Sequence, residues 1–182
     1  MGALQGLDKF NVSGGGGSNI KGIQDGTFTF SQLNDISTQT IPISNINILK
    51  SIVRITITQS ILSPTLYVGS VSATLTDSTT LTLNLQNAYY SPTVKWEVIE
   101  FNNVKSKQVG IKTIATTTDT IIVSSINSSK SLVFLSFTSA DNSTSNVQNF
   151  ATNLVLTNAT TLSFNQSNAK NKSVYWQLIE FN

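Results

Sequence analysis

Apolar and polar residues alternate along two segments of the chain that repeat each other. In Val94-Lys95-Trp96-Glu97-Val98, the valines and the tryptophan fall on one face of an extended chain, and Lys95 and Glu97 on the other. Val174-Tyr175-Trp176-Gln177-Leu178 repeats the pattern 80 positions later. Both segments are rich in branched and aromatic residues and read as β-strands. Other strands align between the two halves. Val53, Ile55 and Ile57 correspond to Val133, Leu135 and Phe137, and Thr80-Leu81-Thr82-Leu83 to Thr161-Leu162-Ser163-Phe164. Val71, Ala73 and Leu75 mark a further strand whose partner holds Leu154 and Leu156. Thr40 to Asn47 matches Thr120 to Asn127, and Phe28 and Phe30 share a face of an early strand. The openings Ile20 to Gly26 and Val104 to Gly110 share Lys, Gln and Gly.

This predicts about six strands per repeat, with Asn, Asp, Ser and Gly between them and no long helical periodicity. The fold class expected is all-β: two tandem β-sandwich repeats, residues 19–102 and 103–182, preceded by a flexible N-terminal arm and Gly-rich tether over residues 1–18. The expected core of repeat 1 holds Trp96 with Val53, Ile55, Leu81, Leu83 and Val98. In repeat 2 it holds Trp176 with Val133, Leu135, Leu162, Phe164 and Leu178. Pro42 lacks an amide donor, which puts its strand at a sheet edge.

The alternation then slips, at the same place in both repeats. Ile99 and Phe101, with Ile179 and Phe181, carry apolar groups to the face opposite the tryptophans, and Glu100 and Glu180 fall on the tryptophan face. A bulge near Val98 or Leu178 would return them to one core. Burial by a neighbouring domain or subunit would cover them instead, and is the favoured reading, with closed ring symmetry expected for an oligomer. Phe181→Ser is then expected to weaken assembly more than it lowers the melting temperature of an isolated monomer. The candidate interface comprises these four residues and Leu4, Leu7 and Phe10 of the arm, which Gly14 to Gly17 decouple from the fold.

Composition narrows the chemistry. Only 11% of residues are charged, the net charge is +2, and Arg54 is the single arginine. No basic run offers an electrostatic footprint for nucleic acid or an anionic membrane. Cysteine and histidine are both absent, which removes disulfides, thiolate nucleophiles, Cys/His metal sites and the commonest general base. The first residues lack a signal-peptide pattern, and no apolar run approaches the length of a membrane span.

The carboxylates scatter over turns and strand ends, and only Glu100 and Glu180 recur in both repeats. They read as strand-end carboxylates bonded to backbone or to a lysine. Asp77 and Asp141 lack the pattern of a calcium loop and read as turn residues. Tyr89 and Tyr90, before Pro92, are the candidate ligand contact, since adjacent tyrosines in a loop expose ring faces to a sugar or a partner. No catalytic, metal or cofactor-binding residue is expected, and no cofactor.

Three motifs together resemble small β-rich virion proteins of tailed bacteriophages. They are the opening Ile20 to Thr27 after the glycines, the segments Ser44 to Ser51 and Ser124 to Ser131, and the two closing Trp strands. The chain departs from the pattern at Asp25, where a basic residue is commoner, and in the second opening, which lacks the Gly-Thr step. The resemblance implies a non-enzymatic structural protein of the tail, collar, fibre or capsid decoration. It would be assembled in the host cytoplasm and displayed on the virion as an oligomer, with other copies of itself and other virion proteins as partners. The alternative is a receptor- or carbohydrate-binding module of a tail fibre or surface adhesin, with a host surface glycan as ligand.

Overall fold

The computed structural model describes residues 19–30, 37–58, 70–86, 92–139, 152–167, 169 and 171–182. The arm and tether, residues 1–18, lie outside the described residues. The fold is all-β. In repeat 1 the strands are β1 (Ile20–Thr29), β2 (Ser37–Pro42), β3 (Ser51–Thr58), β4 (Ser70–Asp77), β5 (Thr80–Gln86) and β6 (Thr93–Phe101). In repeat 2 they are β7 (Val104–Ile114), β8 (Thr118–Ile122), β9 (Ser131–Ser139), β10 (Thr152–Asn158), β11 (Thr161–Gln166) and β12 (Lys172–Phe181).

Among the described residues, each repeat is a pair of three-stranded sheets with the same strand order. Repeat 1 holds β1-β6-β3 and β2-β5-β4; repeat 2 holds β7-β12-β9 and the matching sheet of β8, β11 and β10. The Trp strands β6 and β12 are central and antiparallel to both neighbours. Pro42 lies in edge strand β2, as its missing donor requires.

Strand β5 shows how the pattern becomes packing. Leu81, Leu83 and Leu85 alternate with Thr and Asn, and all three leucines are buried. They meet Val53, Val98 and Trp96 from the facing sheet in one core. Leu162, Phe164, Leu178 and Trp176 form the equivalent core in repeat 2. Each such side chain removed from water contributes about 1.5–3 kcal/mol.

The opening segments, which alternate poorly, are the first halves of long edge strands. Their glycines explain the weak pattern. Gly26 pairs with Trp96 and Gly110 with Trp176 across the ladder. A Cβ on Gly26 would stand 2.5 Å from Trp96 Cζ2, and one on Gly110 would stand 2.8 Å from Trp176 Cζ2. The indoles lie over strand positions that only glycine can occupy without displacing them.

The slipped pattern has a single cause in both repeats. Strands β6 and β12 run through Ile99 and Ile179 in unbroken register with β3 and β9, so no bulge near Val98 or Leu178 turns them inward. Irregularities sit instead on the neighbouring strands, where Lys21 and Lys105 are the extra residues of β1 and β7. Ile99, Phe101, Ile179 and Phe181 meet one another, with Ile52, in a third apolar cluster between the repeats. The Phe101 and Phe181 rings pack edge to face with centroids 5.1 Å apart. The cover is the other repeat of the same chain, so these four residues need no second subunit and give no reason to expect ring symmetry.

Candidate functional site

The polar residues that recur between the repeats gather at one place in each. Glu100 closes β6 on the tryptophan face, and its Oε1 accepts hydrogen bonds from Lys21 Nζ (2.9 Å) and the Asn47 amide (3.1 Å). Glu180 does the same in repeat 2. Its Oε1 accepts from Lys105 Nζ (2.9 Å) and the Asn127 amide (2.8 Å), and its Oε2 from Ser106 Oγ (3.0 Å). The bulges of β1 and β7 place these two lysines, because the extra residue leaves the pleat and can reach across the strand end.

Asn47 and Asn127 then cap short 3₁₀ turns, Ile48–Lys50 and Ser128–Lys130, by accepting from the Leu49 and Ser129 amides. Ser51 and Ser131 hydroxyls donate to the Asn47 and Asn127 carbonyls. Gln24 and Gln108 each grip a serine backbone with both amide atoms. Gln24 Nε2 donates to the Ser44 carbonyl while its Oε1 accepts the Ser44 amide; Gln108 does likewise with Ser124. The whole set pins the link between the second and third strands of each repeat against its first and last strands.

This arrangement sets the ionisation of Glu180. Glu180 is 2% exposed, and the hydrogen bond from Lys105, followed by that from Asn127, holds its carboxyl below the ordinary glutamate range. Glu180, kept ionised by donors to both of its oxygens, acts as a brace and is poorly suited to shuttle protons at neutral pH. Glu100 and Glu180 are each bound within their own repeat, as strand-end carboxylates tied to a lysine and to backbone. Asp77 is a turn residue: its carboxylate accepts the Thr79 amide (2.7 Å), which lowers its pKa.

A depression of about 490 Å³ opens beside the Glu100 brace, lined by Lys21, Asn45, Asn47, Ile48, Leu49 and Ser78 among others. Of its polar residues, Lys21, Asn47 and Glu100 belong to the brace, and Asn45 and Ser78 complete the lining. Among the described residues, no three of His, Cys, Asp and Glu come together as a metal set. Tyr89 and Tyr90, and Leu4, Leu7 and Phe10 of the arm, lie outside the described residues.

The junction between repeats holds residues that the alternation alone does not single out. The Val53 amide donates to Gln177 Oε1 (3.0 Å), and Gln177 Nε2 donates to the Val53 carbonyl (2.7 Å). The Ala73 amide donates to Ser136 Oγ (3.0 Å), and the Ser139 amide to Ser70 Oγ (2.7 Å). Side chains thus bond outward-facing backbone at one residue in each of the edge strands β3, β4 and β9, where it would otherwise invite strand addition.

The signal for these residues is departure from the repeat. Gln177 stands where repeat 1 has Glu97, and Phe134, packed on the third cluster, stands where repeat 1 has Arg54. Arg54 and Glu97 form a partly exposed ion pair instead. At these two positions repeat 2 is neutral and covered, and repeat 1 is charged and partly exposed.

Lys107 is a further departure, replacing Ile23. Its Nζ donates to the Ile48 carbonyl (2.8 Å) across the junction, and burial lowers its pKa to about 8. Between about pH 8 and 10.5 the folded chain therefore holds fewer protons on this residue than the unfolded chain does. Stability should rise with pH across that window. Tyr175, raised by burial, opposes the trend only above its ordinary range, so pH 8 and pH 10 are the useful comparison. Urea unfolding should show a gain of about 2 kcal/mol between them, and Lys107→Met should flatten it. A wild-type profile without the rise, or a rise that survives the substitution, refutes this account.

No family model, curated protein or solved structure matches the chain.

Proposed function

We propose that this chain is a non-enzymatic structural protein of a tailed-bacteriophage virion, displayed on the tail, collar, fibre or capsid as an oligomer. The observation that carries the reading is the use made of the recurring polar residues. Lys21, Gln24, Asn47, Ser51 and Glu100, with their counterparts in repeat 2, are all spent on bracing the sandwich. A duplicated catalytic or ligand-binding unit would instead keep recurring polar groups with unused hydrogen-bonding capacity facing a cleft. The junction supports the same reading, since it joins the repeats through both apolar contact and backbone capture. Such rigidity suits a part that transmits position.

Mass spectrometry of density-purified particles from a culture producing the chain tests this. The protein should be present at a fixed copy number relative to the other particle proteins. Its presence in the lysate and absence from the particles would refute the proposal.

A further inference from the structure

We propose that the β7 edge of repeat 2 is a contact between two copies of this chain, formed by antiparallel pairing of β7 with β7 of a second copy. The inference rests on the reading of the chain as an assembly subunit and names the surface and the partner. Strands β1 and β7 are equivalent edge strands in sheets of the same order, but they have diverged on the outward face. Where β1 carries Asp25 and Thr27, β7 carries Val109 and Ile111, which are 46% and 71% exposed. The neighbouring edge has changed in the same sense. Pro42 of β2, which blocks strand addition, is replaced in β8 by Ile122, 78% exposed. Lys112 of β7 pairs with Asp119 of β8 (3.3 Å), so both altered edges belong to one flank of repeat 2.

Edge strands are ordinarily guarded by proline, by bulges or by lysines free to repel a partner. The lysines of β7 are engaged within the chain: Lys105 with Glu180, Lys107 with the Ile48 carbonyl and Lys112 with Asp119. Its bulge lies at Lys105, outside the Gln108–Ile114 stretch. Repeat 1 keeps its guards, with Asp25 in β1 and Pro42 in β2. It exposes Ile23, where β7 has Lys107.

The occupant follows from the residues themselves. A two-fold axis through Gly110 sets Val109 opposite Ile111 of the other copy, twice, and Lys112 opposite Gln108. Lys107 then faces Thr113. No like charges oppose each other, and the two exposed apolar residues cover their counterparts. The contact is isologous, as a closed dimer requires, and self-complementary in sequence.

Light scattering on the full chain across a dilution series tests the proposal. The wild type should show twice the monomer mass of 19.6 kDa. The V109D/I111T variant, which carries the residues of β1, should show the monomer mass and a melting temperature that does not vary with protein concentration. In a protein without cysteine, V109C/I111C should form a covalent dimer on mild oxidation. A wild type that is monomeric throughout, or a V109D/I111T variant that keeps the wild-type mass, overturns the contact. A monomeric chain present in particles would overturn this contact alone. A β7-dependent dimer absent from particles would overturn the virion reading and leave the contact standing.

Discussion

Replacing Phe181 by serine should cost the chain at least about 3 kcal/mol of folding stability and loosen the two repeats from each other. Phe181 is packed edge to face on Phe101 within a cluster drawn from both repeats. Truncating a buried phenylalanine typically costs about 3–5 kcal/mol, and a serine hydroxyl adds an unsatisfied polar group. Neither Trp core contains this residue. The sandwiches should therefore survive, and their unfolding should separate into two steps as the coupling between them falls. Calorimetry read beside tryptophan fluorescence would show the split. Alternation alone leads to another expectation, a weakening of assembly greater than the fall in the monomer's melting temperature. The structure reverses that ordering because the covering surface belongs to the same chain. A Phe181→Ser protein with wild-type stability and one sharp transition would show that the third cluster does not join the repeats.

Gly26→Ala should be the most damaging alanine substitution among the described glycines. In an ordinary edge strand, alanine would gain stability by restricting the unfolded chain. Here the added carbon would sit 2.5 Å from Trp96 Cζ2, and the indole is held between the sheets of the first core. Overpacking of this kind costs about 1–3 kcal/mol, and more where the ring must leave its rotamer. Gly110→Ala meets Trp176 at 2.8 Å and should behave alike with a smaller loss. A double-mutant cycle isolates the contact. Trp96→Phe alone destabilises by leaving space, but combined with Gly26→Ala it should recover at least about 1 kcal/mol relative to additivity. Additive effects, or a neutral Gly26→Ala, would place the tryptophan somewhere other than over the glycine.

The sequence by itself determined the strands and their duplication. Side chains of a strand alternate between two faces, so Leu81, Leu83 and Leu85, or Val94, Trp96 and Val98, declare both a strand and its buried side without reference to the rest of the chain. Pro42 declared an edge for an equally local reason: a residue with no amide proton cannot serve a central strand. The recurrence of Lys, Gln, Asn, Ser and Glu at matched positions marked one scaffold used twice. The slip at Ile99 and Ile179 went further and left two readings, a bulge or a covered outer face, with the cover favoured. What covered it was a tertiary decision. Phe101 and Phe181 lie 80 residues apart, and no local rule distinguishes a partner in the same chain from one in another. The halves of β1 and β7 built on Gly26 and Gly110 were obscure for a related reason: their glycines answer to tryptophans across the ladder and not to their own neighbours. Gln177 and Ser136 look like ordinary exposed polar residues until an edge strand of the other repeat arrives with donors to satisfy. Alternation and turn chemistry act between residues close in sequence. The docking of one sandwich on another is settled by shape and by outward backbone groups that meet only after both have folded.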